Sequence, residues 1–319
     1  MREKENLVAE SRIAIVWNPS KASREDLEQA LPEEAAAAGL TWHETSVEDP
    51  GVGAADEALA AGADVVVAVG GDGTVRAVAE RLARDDTAAE LVIVPQGTGN
   101  LLARNLGIAV NDTAGALARA FGGESRAVDL AWIEADVDGE HLRQAFVVMA
   151  GFGIDAHMIA ETDEDLKSKV GWLAYVESLG RALDASAVVE FDIAVDGGES
   201  ERASGHTFMV GNIGTLQGGV TLLPDADPTD GELDLLLLSA EGMGEWLDTL
   251  RSYVWDNGIR RFLGKKEEPA QSADTTTHAR AKRLSVSLSQ PRVLEIDGED
   301  FGETTGFTVE IQPGAVRVR

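Results

Sequence analysis

The sequence contains no cysteine and no long apolar run. Without cysteine the chain can form no disulfide, no thiolate metal site and no cysteine nucleophile, which suits a reducing cytosol. The longest apolar stretches, such as residues 65–69 and 235–238, are too short to cross a bilayer. Residues 1–12 lack the apolar core of a signal peptide. We therefore expect a cytoplasmic protein whose membrane contact is peripheral.

Basic side chains are also scarce, with 27 Lys and Arg against 56 Asp and Glu, for a formal net charge of −29. Such a charge repels the phosphates of nucleic acid, so nucleic acid is not an expected partner. A hydrophobic fraction of 44% and a charged fraction of 26% are typical of a globular protein. A length of 319 residues predicts two domains.

The first third of the chain alternates between strand and helix patterns. The run at 64–69 is continuous and rich in valine, as in a parallel strand that is covered on both faces. This alternation predicts a parallel α/β sheet. The predicted strands are 12–17, 41–46, 64–69 and 91–95, and the predicted helices are 23–39, 52–62, 75–84 and 101–106.

Near residue 125 the pattern becomes mainly antiparallel β. Asp138-Gly139 and Asp196-Gly197 are dipeptides typical of tight hairpin turns. Helices are predicted near 170–183 and 243–262. The predicted strands are 127–137, 140–149, 188–195, 199–210, 232–238, 283–288, 293–297 and 307–311.

The most informative stretch is Gly-Gly-Asp-Gly-Thr at 70–74, between a buried strand and a helix. Its glycines allow close backbone approach to a ligand, and the helix N-terminus offers N–H groups to phosphate. It is neither a Walker A loop nor a Rossmann fingerprint, which needs a small residue where Arg76 stands. Asp72 would repel phosphate unless a cation intervenes, which indicates Mg²⁺. The alternative is that Asp72 only caps the helix.

A second glycine-rich loop, Pro-Gln-Gly-Thr-Gly-Asn at 95–100, follows the next strand. Both loops would lie at the carboxyl ends of neighbouring parallel strands, where open α/β sheets bind ligands. Thr98 and Asn100 could donate hydrogen bonds to phosphate or ribose. The five histidines show no metal-ligand spacing.

Together these motifs resemble the diacylglycerol kinase catalytic-domain family, which includes bacterial lipid kinases and sphingosine kinases. The resemblance rests on Asn18-Pro19, both glycine-rich loops, Asp230-Gly231 and Asp297-Gly298-Glu299. It implies an α/β nucleotide domain at 1–125 with an NAD kinase/phosphofructokinase-like parallel sheet, and a β-sandwich lipid-substrate domain at 126–303. It also implies that the segment 304–319 returns to the first domain and that ATP binds in the cleft.

The resemblance further implies roles for individual residues. Asp297 would be the general base supported by Glu299, Asp72 would hold a catalytic Mg²⁺, and Asp230 with nearby backbone carbonyls would hold a structural one. The expected ATP-binding residues are Asn18, Pro19, Thr45, Gly70, Gly71, Asp72, Gly73, Thr74, Gly97, Thr98 and Asn100. On the residues alone, Asp297-Gly298 is a hairpin turn, and the acidic stretch 225–234 either binds a hard cation or is simply solvated.

One position departs from the family pattern. Leu101 stands where many diacylglycerol kinases carry an aspartate of the catalytic metal network, which leaves the acceptor lipid open. Neither glycine-rich loop contains a lysine, so Lys21, Arg24 and Arg76 are candidates to meet the phosphate charge, although each is expected to be an ordinary surface residue.

The expected function is therefore an ATP- and Mg²⁺-dependent lipid kinase of phospholipid metabolism. The expected partners are a lipid at a membrane surface and, as an option, a second copy of the chain. Two alternatives stay open: a soluble NAD kinase-like enzyme, and a catalytically silent regulator that binds lipid or nucleotide.

Overall fold

The computed structural model describes residues 12–85, 87–153, 188–215, 222–238 and 279–319. The helices expected near 170–183 and 243–262 lie outside the described residues. Among the described residues, no helix combines the length and the apolar character needed to cross a bilayer.

The first part of the chain forms a parallel sheet in the order β2-β1-β3-β4. Side chains alternate along each strand, so Ile13 and Ile15 pack in one hydrophobic core while Ala14 and Val16 pack in another on the opposite face. Both faces are thus covered, as the continuous apolar runs predict. The strands are β1 (Ile13–Trp17), β2 (Leu40–Glu44), β3 (Val65–Gly70) and β4 (Glu90–Pro95).

Five short α-helices connect and cover these strands. The single helix predicted over 23–39 is wrong, because Pro32 holds Leu31 in an extended conformation (φ −65°, ψ 142°) and ends the helix at Ala30. The helices are α1 (Arg24–Ala30), α2 (Val52–Ala60), α3 (Asp72–Arg84), α4 (Leu101–Asn105) and α5 (Thr113–Ala118), with 3₁₀ turns at Glu33–Ala37 and Arg119–Phe121.

The described remainder is antiparallel β with its own hydrophobic core. Asp138, Asp196 and Asp297 adopt φ of 51°, 50° and 51°, and each precedes a glycine with positive φ, which confirms the hairpin turns. The strands are β5 (Arg126–Val137), β6 (Glu140–Phe146), β7 (Met149–Phe152), β8 (Val189–Val195), β9 (Glu201–Gly205), β10 (Thr207–Gly211), β11 (Leu233–Leu238), β12 (Ala279–Ala281), β13 (Arg283–Ile296) and β14 (Glu299–Val318).

The strands predicted at 283–288 and 293–297 are one strand, β13, because pairing with β14 continues across an irregularity between Ser287 and Arg292. Two other predicted strands are wrong because each is split where the pairing partner changes. The stretch 140–149 divides into β6, which pairs with β5, and β7, which pairs with β10 and β13. The stretch 199–210 divides at His206 into β9, which pairs with β8, and β10, which pairs with β7 and β11.

The long strand β14 joins the two halves of the molecule. It runs antiparallel to β13 and β5, and its last residues, Arg317 and Val318, pair in parallel with Glu90 and Leu91 of β4. The architecture is therefore the expected one, an α/β domain with a parallel sheet and a C-terminal β-sandwich domain. The exact boundaries at 125/126 and 303/304 stay predictions.

Candidate active site

The two glycine-rich loops lie against each other at the carboxyl edge of the parallel sheet. The N–H of Gln96 donates to the carbonyl oxygen of Gly70 at 2.8 Å. A Cβ atom added at Gly97 would lie 2.7 Å from the Cα atom of Gly71. Because a side chain at Gly97 would collide with backbone, only glycine allows the loops this separation.

Asp72 connects these loops through both of its carboxylate oxygens. Oδ2 accepts from the N–H of Asn100 at 2.8 Å, and Oδ1 accepts from the N–H of Leu101 at 2.6 Å. Asp72 lies at the start of α3, but the helix that its side chain caps is α4, which follows the second loop. Its role as a ligand of Mg²⁺ stays a prediction.

Asn100 holds the second loop in a tight turn. Its backbone is left-handed, with φ 49°, which asparagine tolerates better than most residues. Its Oδ1 accepts from the N–H of Gly97 at 2.8 Å, and its Nδ2 donates to the carbonyl oxygen of Gly97 at 2.6 Å. Both polar atoms of the amide are therefore used within the loop, while Thr98 at the tip is exposed.

The first turn of α3 presents backbone donors at this edge. Gly71 caps the helix, and no side-chain hydrogen bond completes the cap. The first N–H groups of a helix have no partner within it, and the helix dipole adds partial positive charge there. The half-buried residues 71–73 therefore form a surface suited to phosphate.

Three further predicted ATP contacts follow β1 and β2 at the same sheet edge. Asn18 donates its N–H to Val69 at 2.9 Å, and the exposed Pro19 follows it. Thr45 donates its N–H to Trp17 at 3.0 Å and is 4% exposed. Within the described part of the chain the hydroxyl of Thr45 has no hydrogen-bond partner. A buried hydroxyl without a partner is costly, so it is well suited to a ligand contact.

Asp297 lies in the turn between β13 and β14. Its Oδ1 accepts from the N–H groups of Val148 and Met149 at 2.8 and 3.1 Å, and its Oδ2 accepts from that of Val147 at 3.0 Å. Burial raises the pKa of Asp297 to about 6, against the opposing effects of the Arg76 guanidinium and of these three donors. Desolvation is thus the dominant influence.

Arg76 links α3 to this hairpin. It is 7% exposed, and its Nη2 donates to Oε2 of Glu299 at 2.6 Å. A Cβ atom added at Gly73 would lie 3.6 Å from Oε1 of Glu299, so the hairpin lies directly beside the first glycine-rich loop. The structure therefore brings the first glycine-rich loop together with the Asp297–Glu299 hairpin.

The expectation that Arg76 is a surface residue is wrong, whereas Lys21 and Arg24 are exposed as expected. A signal for Arg76 was present in the sequence. Asp72, Arg76 and Glu80 follow one another at four-residue spacing on one face of α3, and both Arg76 and Glu80 are buried. Glu80 accepts from the N–H of Ala145 at 3.2 Å, which ties the same helix face to β6.

The backbone segment 147–149 that holds Asp297 could not be found from the sequence. Its N–H groups are the functional atoms, and its side chains are ordinary apolar ones. Asn212 fixes the segment, since its N–H donates to Val148 at 2.9 Å and its Nδ2 donates to Val147 at 3.4 Å. Asn212 is 1% exposed, and its sequence context carries no motif that marks it as a site residue.

Asp230 lies in a different environment. Its Oδ1 accepts from the N–H of Glu232 at 3.0 Å, and its Oδ2 lies 3.4 Å from a nitrogen of Arg280. Among the described residues, no group of three or more His, Asp or Glu side chains is arranged to hold a metal ion. Both carboxylate oxygens of Asp230 thus already contact protein donors, one of which is the positively charged Arg280.

Comparison with known proteins gives consistent matches over nearly the whole chain. Residues 12–133 match the family described as diacylglycerol kinase catalytic domain, and residues 147–319 match the YegS C-terminal NAD kinase beta sandwich-like domain. A Pseudomonas fluorescens protein named "Probable lipid kinase YegS-like" is 30% identical, over 98% of this chain and 96% of its own.

A Bacillus subtilis protein named "Diacylglycerol kinase" is 27% identical, over 94% of this chain and 93% of its own. The solved structure of a diacylglycerol kinase from Bacillus anthracis has the same fold, with a TM-score of 0.69 and 21% identity over 97% of this chain and 96% of that one. The chain therefore belongs to the diacylglycerol kinase family of lipid kinases, with a YegS-type C-terminal domain.

Proposed function

We propose that the protein transfers the γ-phosphate of ATP to a hydroxyl group of diacylglycerol or a related lipid, in a Mg²⁺-dependent reaction. The observation that carries this proposal is the contact between the two motifs. Arg76 extends from α3 and binds Glu299 at 2.6 Å, two residues from the half-buried Asp297. The loop proposed to bind the phosphates of ATP and the proposed base therefore lie side by side.

ATP would bind along the carboxyl edge of the parallel sheet. The free N–H groups at the start of α3 would hold its phosphates, because they carry the positive end of the helix dipole. Thr45, whose buried hydroxyl has no partner among the described residues, would contact the nucleotide from the end of β2. Asn18 and Pro19 would border the same edge.

Mg²⁺ fits Asp72 as a ligand shared with phosphate and water. Each carboxylate oxygen of Asp72 accepts one N–H and keeps a lone pair. Mg²⁺ sites of nucleotide enzymes commonly use one or two carboxylates together with phosphate oxygens and water. When bound, the ion would neutralise charge on the phosphates.

Asp297 is suited to remove the proton of the acceptor hydroxyl. With a pKa of about 6 it is ionised in about nine-tenths of molecules at neutral pH, yet it is more basic than an ordinary aspartate. The hydroxyl oxygen would form the new bond to phosphorus as the bond to ADP breaks, and the hydroxyl proton would pass to Asp297. Three N–H donors hold the carboxylate in place for this step.

The presence of Leu101 leaves all of these proposed contacts with ATP, Mg²⁺ and the acceptor hydroxyl in place. Its N–H binds Asp72 at 2.6 Å, and its side chain packs against the hydrophobic core. Neither glycine-rich loop contains a lysine, so the charge on the phosphates would be met by backbone donors and Mg²⁺. Because the acceptor is a lipid, we also propose that the protein makes a peripheral contact with the membrane surface.

The test is ATP-to-lipid phosphate transfer with Mg²⁺, using micellar diacylglycerol, monoacylglycerol, sphingosine, ceramide and phosphatidylglycerol, with NAD as a soluble acceptor. Asp297→Asn and Asp72→Ala are compared with Asp300→Asn, which removes an exposed carboxylate from the same hairpin. We expect product on one lipid, a loss of at least about 100-fold in the first two variants, and little change in the third.

Two other outcomes would contradict the proposal. Transfer to NAD alone would assign the protein to the soluble kinases. ATP binding without transfer to any acceptor would identify a catalytically silent regulator.

A further inference from the structure

The loop that precedes β11 carries an unusual density of negative charge. Asp225, Asp227, Asp230, Glu232 and Asp234 lie within ten consecutive residues. Side chains of one sign at this spacing repel one another unless a cation or water screens them. The nature of that cation decides whether the loop depends on divalent metal.

Strand pairing places a cation beside this loop. β11 and β12 are antiparallel, and their register sets Arg280 directly opposite Asp234. The Nε of Arg280 lies 3.6 Å from Oδ1 of Asp234, whose side chain is only 4% exposed. A buried carboxylate needs such a partner, because its desolvation is otherwise costly.

The same guanidinium reaches two more carboxylates and a carbonyl. Its Nη1 lies 3.3 Å from Oε2 of Glu232 and 3.4 Å from Oδ2 of Asp230, and its Nη2 donates to the carbonyl oxygen of Asp225 at 3.0 Å. These acids, Asp234 foremost, raise the pKa of Arg280 above its ordinary value. All three nitrogens are thus engaged by the kinds of oxygen that a hard cation would bind.

Two further contacts within the loop come from local donors. Oδ1 of Asp227 accepts from the N–H and the hydroxyl of Thr229 at 3.0 and 2.6 Å. Oδ1 of Asp230 accepts from the N–H of Glu232 at 3.0 Å. A Mg²⁺ ion would have to shed water and approach within a few ångströms of a fixed positive charge, which is unfavourable on both counts.

We propose that Arg280 is the built-in counter-ion of the 225–234 loop and takes the place of the structural Mg²⁺ expected beside Asp230. The proposal concerns folding and not phosphate transfer, so it does not depend on the proposed function. It makes the loop, and what the loop supports, independent of divalent metal.

What the loop supports is the end of β14. Asp129 is 2% exposed and accepts from the N–H of Gly231 at 2.7 Å through Oδ2 and from that of Gly314 at 2.6 Å through Oδ1. The acidic loop is therefore fastened to β14 shortly before that strand pairs with β4. Loss of the counter-ion should loosen this junction between the two domains.

The experiment measures thermal unfolding of the nucleotide-free full-length protein after chelator treatment, with and without millimolar MgCl₂ at constant ionic strength. Arg280→Met removes the counter-ion and keeps much of its apolar volume. Arg283→Met is the matched control, because Arg283 is an exposed arginine that pairs with Glu310 at 3.7 Å. Binding of Mn²⁺, followed by electron paramagnetic resonance, is the second readout.

We expect the Tm of the native protein and of Arg283→Met to change by less than about 1 °C on addition of Mg²⁺. Arg280→Met should lose several degrees without metal, recover part of that loss with Mg²⁺ and bind Mn²⁺. Asp230→Asn in the Arg280→Met background should abolish the recovery.

Three results would overturn the proposal. One is saturable Mg²⁺ stabilisation of the native protein that Asp230→Asn removes. Another is tight Mn²⁺ binding to the native protein that Asp230→Asn removes. The last is an Arg280→Met variant with unchanged Tm. If Arg280→Met does not fold, the measurements on the native protein and on Asp230→Asn still decide the question.

Discussion

Replacement of Arg76 by methionine should make the activity of this protein more sensitive to acid. Arg76 is 7% exposed, and its positive charge lowers the pKa of Asp297, so the value of about 6 is what remains when this effect and those of three N–H donors oppose the rise caused by burial. Methionine keeps an apolar stem and removes the charge. An arginine beside an aspartate lowers the pKa of that carboxyl group by about one unit or more, so we expect Asp297 to titrate near pH ~7 in the variant.

The size of the effect follows from the ionised fraction of Asp297. At about pH 6 that fraction falls from about one half to about one tenth, which predicts a fivefold loss of kcat/KM. At about pH 7 the loss is about twofold, and above about pH 8.5 it vanishes. Any loss that remains at high pH reports the separate effect of releasing Glu299, which Arg76 binds at 2.6 Å.

The assay is initial-rate lipid phosphorylation across this pH range with saturating Mg²⁺. Arg76→Lys keeps the charge without the planar fork, so it should keep the native acid limb even if its overall rate is lower. Arg81→Met is the matched control, because Arg81 lies on the same helix and pairs with Asp56 and Asp85 away from the site. A rate ratio between native protein and Arg76→Met that is constant with pH would refute this reasoning.

Three further predictions concern single contacts of the same cleft. The pKa of Asp297 rises from the ordinary 3.8 to about 6 in the folded protein, so its ionised form is disfavoured on folding and the native protein loses stability as the pH rises. The free energy of unfolding of Asp297→Asn, measured relative to that of the native protein, should therefore rise by up to about 3 kcal/mol from pH 4 to pH 7. A difference that does not change with pH in urea titrations would contradict the raised pKa. Gly97→Ala should lower the free energy of unfolding by about 1–3 kcal/mol in the same titrations and weaken ATP binding, because its Cβ atom would lie 2.7 Å from the Cα atom of Gly71. Gly39→Ala is the control and should be neutral, since no atom lies within 4 Å of its Cβ position. Thr45→Val should raise the KM for ATP by about fivefold without lowering the Tm, because the buried hydroxyl group has no partner within the described residues. Unchanged ATP affinity would exclude Thr45 from the nucleotide site.

Much of the fold could be predicted because its signals are local. Continuous apolar runs identified β1, β3 and β4, and the aspartate-glycine pairs identified three hairpin turns. Apart from the helix that ends before Pro32, the errors in the strands arose where a distant partner decided the pairing. The stretches 140–149 and 199–210 each read as one strand, yet each divides because its two halves pair with different strands.

The position of the candidate site was also visible in the sequence. Two glycine-rich loops after successive parallel strands must meet at one edge of the sheet, and the structure places them in contact. Their partners were less visible. The segment 147–149 contributes only backbone N–H groups to Asp297, and its side chains give no sign of that contact in the sequence.

The sequence alone thus determined the alternating α/β layout, the turns, the first glycine-rich loop and the identity of the acidic residues, because each depends on neighbours within a few positions. Only the tertiary structure decided what those acids do. Asp72 caps a helix 28 residues away, Asp297 acquires its raised pKa from burial beside α3, and Asp230 meets Arg280 through strand pairing. Desolvation and charge pairing depend on distances in space, which a linear pattern does not contain.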